Sequence, residues 1–157
     1  TGLDLVELMI RVAAGEKLPL TQADVKRDGW AMECRINAED PFRSFLPSTG
    51  RLVRFQPPLE TMFASDVSKW HGVRVDTGVQ DGGEIPMYYD SMIAKLIGYG
   101  RDRAEAMART RRALDEFVIE GIKTSIPLHR RILDHPDFQK GPVSTTFLDR
   151  LLALQSA

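Results

Sequence analysis

The chain opens on a segment whose apolar residues run almost all the way round a helix. Over 3–14, Leu3, Leu5, Val6, Leu8, Met9, Ile10 and Val12 leave only a narrow stripe for Asp4, Glu7 and Arg11, so this helix is expected to be covered on more than one side, by more than so short a chain readily supplies. Gly15 stands where a left-handed residue ends a helix. Thr21-Gln22-Ala23-Asp24 has the spacing of a helix start and predicts one short turn. From 30 to 37 the period changes to two. Met32, Cys34 and Ile36 face one way and Glu33 and Arg35 the other, which predicts a strand with one apolar face. Asp40-Pro41 and Pro47-Ser48-Thr49-Gly50 then mark a loop. A second strand is predicted over 51–55, with Leu52 and Val53 on opposite faces and Pro57-Pro58 stopping it.

The stretch 59–70 shows neither period and reads as a long excursion, a loop of about 57–71. Short strands follow at 73–75 and 92–99, on either side of the turn Gln80-Asp81-Gly82-Gly83. Asp102 precedes the clearest helix, where Ala106, Met107, Thr110, Ala113, Leu114 and Phe117 form a stripe that faces a core. Its outer face pairs Glu105 with Arg109 and Arg112 with Glu116, four residues apart. Gly121 breaks the pattern, Ser125 with Pro127 starts a shorter helix, His135-Pro136 ends it, and 146–154 predicts a terminal helix. The expected fold is α+β: a small antiparallel sheet of about four strands with packed helices, in one domain over 1–157.

Composition narrows the classes. With 157 residues and 43% hydrophobic content, the chain can bury about two thirds of its unfolded surface, enough for one core. Lys plus Arg number 21 against 22 for Asp plus Glu, spread along the chain, so no field favours nucleic acid. A single cysteine excludes an internal disulfide and suits a reducing compartment. No apolar run approaches the ~18 residues of a spanning helix, and the chain reads as cytoplasmic, with no membrane partner.

Candidate chemistry is concentrated in two runs. Gly72-Val73-Arg74-Val75-Asp76 places one guanidinium on a strand face, and Tyr88-Tyr89-Asp90-Ser91-Met92-Ile93-Ala94-Lys95-Leu96 sets aromatics and a carboxylate at a turn that feeds an apolar strand. Taken alone, an arginine two residues from an aspartate is most often a surface or partly paired charge. Tyr88 and Tyr89 would ordinarily fill core, and Asp90 would cap its own backbone. Lys95 needs a partner if buried, with Glu33 one possible source. His71, His129 and His135 lack the spacing of ligand pairs, so no metal site is expected.

With Glu33-Cys34-Arg35-Ile36-Asn37-Ala38-Glu39-Asp40-Pro41 and Ser44-Phe45-Leu46-Pro47-Ser48-Thr49-Gly50, these runs resemble the C-terminal part of biotin carboxylase, a likeness extending from Thr1-Gly2-Leu3 to Thr146-Phe147-Leu148. The resemblance implies that Arg74 is catalytic and sits beside the ureido oxygen of biotin. Tyr88, Tyr89, Asp90, Lys95 and Glu33 become supporting candidates, and Tyr99 and Arg103 candidates for a two-fold contact between subunits. It implies biotin on a carrier domain outside this chain, and ATP and Mg2+ bound by upstream ATP-grasp domains, the chain being a cut-out C-terminal domain that is inactive alone. The implied partners are those domains, the biotin carrier, a second copy of the full-length chain and the carboxyltransferase subunit. Asp76-Thr77-Gly78-Val79 and the excursion at 59–70 are similar to acetyl-CoA or propionyl-CoA carboxylase alpha subunits. The alternatives are a non-catalytic module that pairs subunits, or the same domain of a pyruvate or urea carboxylase.

Overall fold

The computed structural model describes residues 1–61 and 72–153; most of the excursion expected at 57–71 lies outside them. Helix α1 (Leu5–Ala13) starts at Asp4, whose carboxylate accepts from Glu7 N. It ends at Gly15, φ 88°, with Gly15 N donating to Val12 O and Glu16 N to Arg11 O. That pair of bonds satisfies carbonyls the helix leaves open and needs the left-handed residue that glycine supplies. A 3-10 turn, Gln22–Asp24, follows, its Asp24 carboxylate accepting from Thr21 N and Oγ1.

Strand β1 (Trp30–Asn37) opens the main sheet, in which β8 (Met92–Gly100) lies between β1 and β6 (Gly72–Thr77), all antiparallel. The register puts Cys34, Leu96 and Val75 in one row and Glu33, Ile97 and Arg74 in the next. Side chains alternate across the sheet, so Cys34, Ile36, Leu96 and Val73 turn inward, all buried. Helix α2 (Arg103–Glu116), capped by the Asp102 carboxylate on Glu105 N, packs on that face through Ala106, Thr110, Ala113 and Leu114. Burying a leucine such as Leu96 or Leu114 contributes roughly 1.5–3 kcal/mol.

The strand expected over 51–55 is two strands. Gly50–Arg51 (β4) pairs with Glu84–Ile85 (β7), and Arg54–Gln56 (β5) pairs with Val118–Glu120 (β9). Buried Leu52 and exposed Val53 lie between them, on opposite sides as the alternation predicts. A further ladder joins Glu39–Asp40 (β2) to Leu46–Pro47 (β3). Thus the core is a three-stranded sheet with three two-stranded ladders beside it. Helix α3 (Ile126–Asp134), α4 (Pro136–Lys140) and α5 (Phe147–Ala153) form a second, smaller core around Leu128, Phe147 and Leu151.

Helix α1 lacks, among the described residues, the cover that its apolar girdle calls for. None of its residues is buried, and Met9 is 70% and Val6 67% exposed. An apolar groove of about 650 Å³ runs beside it, lined by Leu5, Leu8, Met9, Val12, Leu18 and Leu20 among others.

Candidate active-site face

The outward face of the three-stranded sheet gathers the charged candidates. Arg74 lies across from Ile97 and, one strand further, Glu33; Asp76 lies across from Lys95 and then Arg35. Directly opposed residues have Cβ atoms about 5 Å apart, so these two rows form one patch on rigid backbone.

Arg74 and Asp76 are two apart on β6 and therefore share the face. Arg74 Nε donates to Asp76 Oδ1 at 2.7 Å and Nη2 to Oδ2 at 3.0 Å, a bidentate fork that fixes the guanidinium plane. Their side chains are 45% and 44% exposed. The Asp76 hydrogen bonds raise the proton affinity of Arg74 further; burial opposes this, and the charges of Asp76 and Glu60 add to the rise. Glu60 reaches this place for a backbone reason. β6 is an edge strand, and its outward N–H groups need partners: Val75 N donates to Glu60 Oε1 at 2.7 Å and Val73 N to Thr61 Oγ1 at 2.9 Å, while Thr61 N returns a bond to Val73 O.

Lys95 is half-buried on the same face, and among the described residues no hydrogen bond or ion pair to it is seen. Glu33 is exposed in the Arg74 row. The 88–90 turn sits elsewhere. It enters β8 at Met92, five residues from the Ile97 row, which is about 17 Å along a strand. Tyr88 and Tyr89 are 85% and 81% exposed, which corrects the expectation that they fill core: the turn projects past the end of the sheet. Asp90 caps its own backbone, accepting from Met92 N at 2.9 Å. Behind it lies a cluster missed in the sequence, where Ser91 Oγ donates to Glu39 and Asn37 Nδ2 reaches Ser91 Oγ at 3.3 Å.

Tyr99 and Arg103 both turn toward their own chain. The Tyr99 hydroxyl donates to Asp28 O at 2.5 Å. Arg103 stacks on Phe138 at 4.9 Å, its Nη1 donating to Gln139 O and its Nη2 to Phe138 O and Gly141 O. A guanidinium at the last carbonyls of α4 meets the negative end of a helix, so both terminal nitrogens of Arg103 face inward. The outward charge of that turn is Arg101, which bonds Glu105 and, with Arg109, holds the Glu105 carboxyl down to about 2.

Among the described residues no three His, Cys, Asp or Glu side chains lie where they could hold a metal ion, and no helix is long and apolar enough to cross a membrane.

Residues 33–150 match the sequence model of the biotin carboxylase C-terminal domain. The chain belongs to that family. It is 52% identical over 158 residues to a propionyl-CoA carboxylase alpha chain of Ruegeria pomeroyi, covering 94% of this chain and 23% of the relative. It is 50% identical over 149 residues to biotin carboxylase 1 of Bacillus subtilis, covering 95% and 31%. In structure it resembles the biotin carboxylase domain dimer of Hydrogenobacter thermophilus 2-oxoglutarate carboxylase, solved with MgADP and bicarbonate, at a TM-score of 0.82 and 41% identity over 96% of this chain and 31% of that one. The biotin carboxylase subunit of a pyruvate carboxylase gives 0.82 and 43%, with the same coverages. The domain thus spans 23–31% of the length of these relatives.

Proposed function

We propose that this domain is part of the biotin carboxylase component of a biotin-dependent acyl-CoA carboxylase, an ATP-dependent ligase, and that Arg74 is its catalytic residue. The observation that carries the reading is a guanidinium held in one plane by Asp76, half-exposed on the flat face of a rigid sheet. Such a donor fits an oxygen on which negative charge develops, because it is set before the charge appears. Biotin, when bound, supplies the ring nitrogen that takes up the carboxyl group and the neighbouring oxygen where that charge grows. Arg74 would hold this oxygen by charge-assisted hydrogen bonds, and removing one comparable donor elsewhere costs about 3 kcal/mol.

ATP, Mg2+ and bicarbonate fall on this reading to other parts of the complete protein; MgADP and bicarbonate accompany the Hydrogenobacter domain dimer, of which this chain covers 31%. The acyl-CoA assignment follows the propionyl-CoA carboxylase relatives at 49–52% identity; a pyruvate carboxylase subunit of Methanothermobacter thermautotrophicus, 47% identical, marks the competing acceptor. Partners on this reading are a biotin carrier domain, the carboxyltransferase subunit, and a second copy of the complete chain, which the dimer seen for a structural relative favours.

The test is Arg74→Ala in the complete subunit. Carboxylation of biotin should fall by roughly a hundredfold or more while the apparent affinity for ATP stays nearly constant. Equal loss of both would make Arg74 structural, and no loss of either would leave a module that only pairs subunits.

A further inference from the structure

We infer that Asp76 is a positioning residue for Arg74, orienting the guanidinium toward the oxygen that becomes negative during biotin carboxylation. The inference rests on the reading of Arg74 just given. An arginine on a half-exposed face has four rotatable side-chain bonds, so a donor useful to catalysis gains from a partner fixed to the same rigid backbone. Asp76 provides it from the same strand. Because residues i and i+2 of a strand point the same way, the two contacts of 2.7 and 3.0 Å form fork to fork within β6 itself.

The neighbours agree with this role. Lys95 of β8 stands across from Asp76, with Arg35 of β1 beyond it, so the carboxylate lies between Arg74 and a row of positive side chains. Glu60 approaches from the segment that covers the edge of β6, and its carboxylate is itself anchored on Val75 N. Ion pairs this exposed add little to folding stability. The stability of the domain therefore gives little reason for the bidentate geometry, and orientation of the fork gives a direct one. An amide at position 76 would keep one acceptor oxygen and turn an NH2 group toward a guanidinium N–H, breaking one of the two contacts.

The experiment compares Asp76→Asn, Asp76→Glu, Arg74→Ala and the double variant Arg74→Ala with Asp76→Asn, all in the complete subunit. It reads kcat and KM for biotin carboxylation together with the melting temperature. Asp76→Asn should lower kcat/KM by about 10- to 100-fold, mainly through kcat, as misplacement of a reacting group does. Asp76→Glu should recover most of that loss, because it keeps a charged fork. In the Arg74→Ala background the Asp76→Asn change should cost less than about twofold, the sign of two residues acting as one unit. Melting temperatures should stay within about 2 °C; should the amide disturb the strand, Asp76→Ser removes the carboxylate with less bulk and is judged by the same criteria. A loss within about twofold in Asp76→Asn, or an equal loss with and without Arg74, overturns the inference. Intact carboxylation in Arg74→Ala alone would instead refute the reading of Arg74.

Discussion

Gly98→Ala measures how closely α2 lies on the central strand. A Cβ at Gly98 would stand 2.1 Å from Thr110 Oγ1 and 3.1 Å from both Cβ and the backbone N of Thr110. Thr110 cannot simply turn away, since it is fully buried and its hydroxyl donates to Ala106 O at 2.8 Å. Overpacking of this kind costs about 1–3 kcal/mol, and an orphaned hydroxyl adds about 1–3 more. The lower chain entropy of unfolded alanine offsets roughly 0.5–1. These contributions span about 1–5 kcal/mol, and a net loss of about 3 kcal/mol is expected. Gly100→Ala should be worse, more than about 3 kcal/mol, because its Cβ would meet backbone: Ala106 N at 2.6 Å and Glu105 C at 2.9 Å. Relief there requires moving the first turn of α2. Gly78→Ala, with nothing within 4 Å, is the control and should stay within about 0.5 kcal/mol. Urea unfolding followed by far-ultraviolet circular dichroism gives each value, and adding Thr110→Ala to Gly98→Ala should recover about 1 kcal/mol relative to the sum of the single changes. If Gly98→Ala and Gly100→Ala both match the control, helix and sheet are not in this close contact and the reasoning fails.

Burial, with the charge of Glu33 adding, pushes the Cys34 thiol up to about 12. An unfolded thiol ionises near pH ~8.5, so the stabilisation is complete below that pH and declines as pH rises toward 12, by up to ~1.4 kcal/mol per unit; the urea midpoints of wild type and Cys34→Ala should converge between pH 8 and 10, and a constant gap would refute the assignment. The uncovered α1 should make the chain on its own bind a hydrophobic dye or self-associate, and Met9→Lys should weaken this; a monomer that leaves the dye dark would count against it.

Much of this architecture was legible because the dominant periods are strong. The alternation at 30–37 and the stripe from Ala106 to Phe117 return as β1 and as the packed face of α2 and its end. The ladders were not legible. Strands of two or three residues, such as Gly50–Arg51 and Val118–Glu120, are too short for a period to register and form only because distant segments pair. The site divides the same way. Alternation alone places Arg74 and Asp76 on one face, but their meeting with Lys95 and Arg35 depends on register, and the arrival of Glu60 depends on an edge N–H that needed an acceptor. Tyr88 and Tyr89 misled because aromatic residues next to a strand are usually interior, whereas this turn runs beyond the sheet. The contacts of Arg103 within its own chain were not legible for a related reason: α4, whose carbonyls it meets, begins more than thirty residues later.

The edge contacts have a consequence for assembly. On one border of the main sheet, Glu60 and Thr61 occupy the hydrogen-bonding positions of Val75 and Val73. On the other, Ser125 exchanges bonds with Asn37 and, together with His129, engages the carbonyl of Arg35. A strand offered by a neighbouring molecule would have to displace those groups before it could pair at either place. Growth of the sheet from copy to copy is thereby discouraged beside the rows that carry Arg74 and Asp76, and any contact between copies would fall to helices and side-chain surfaces.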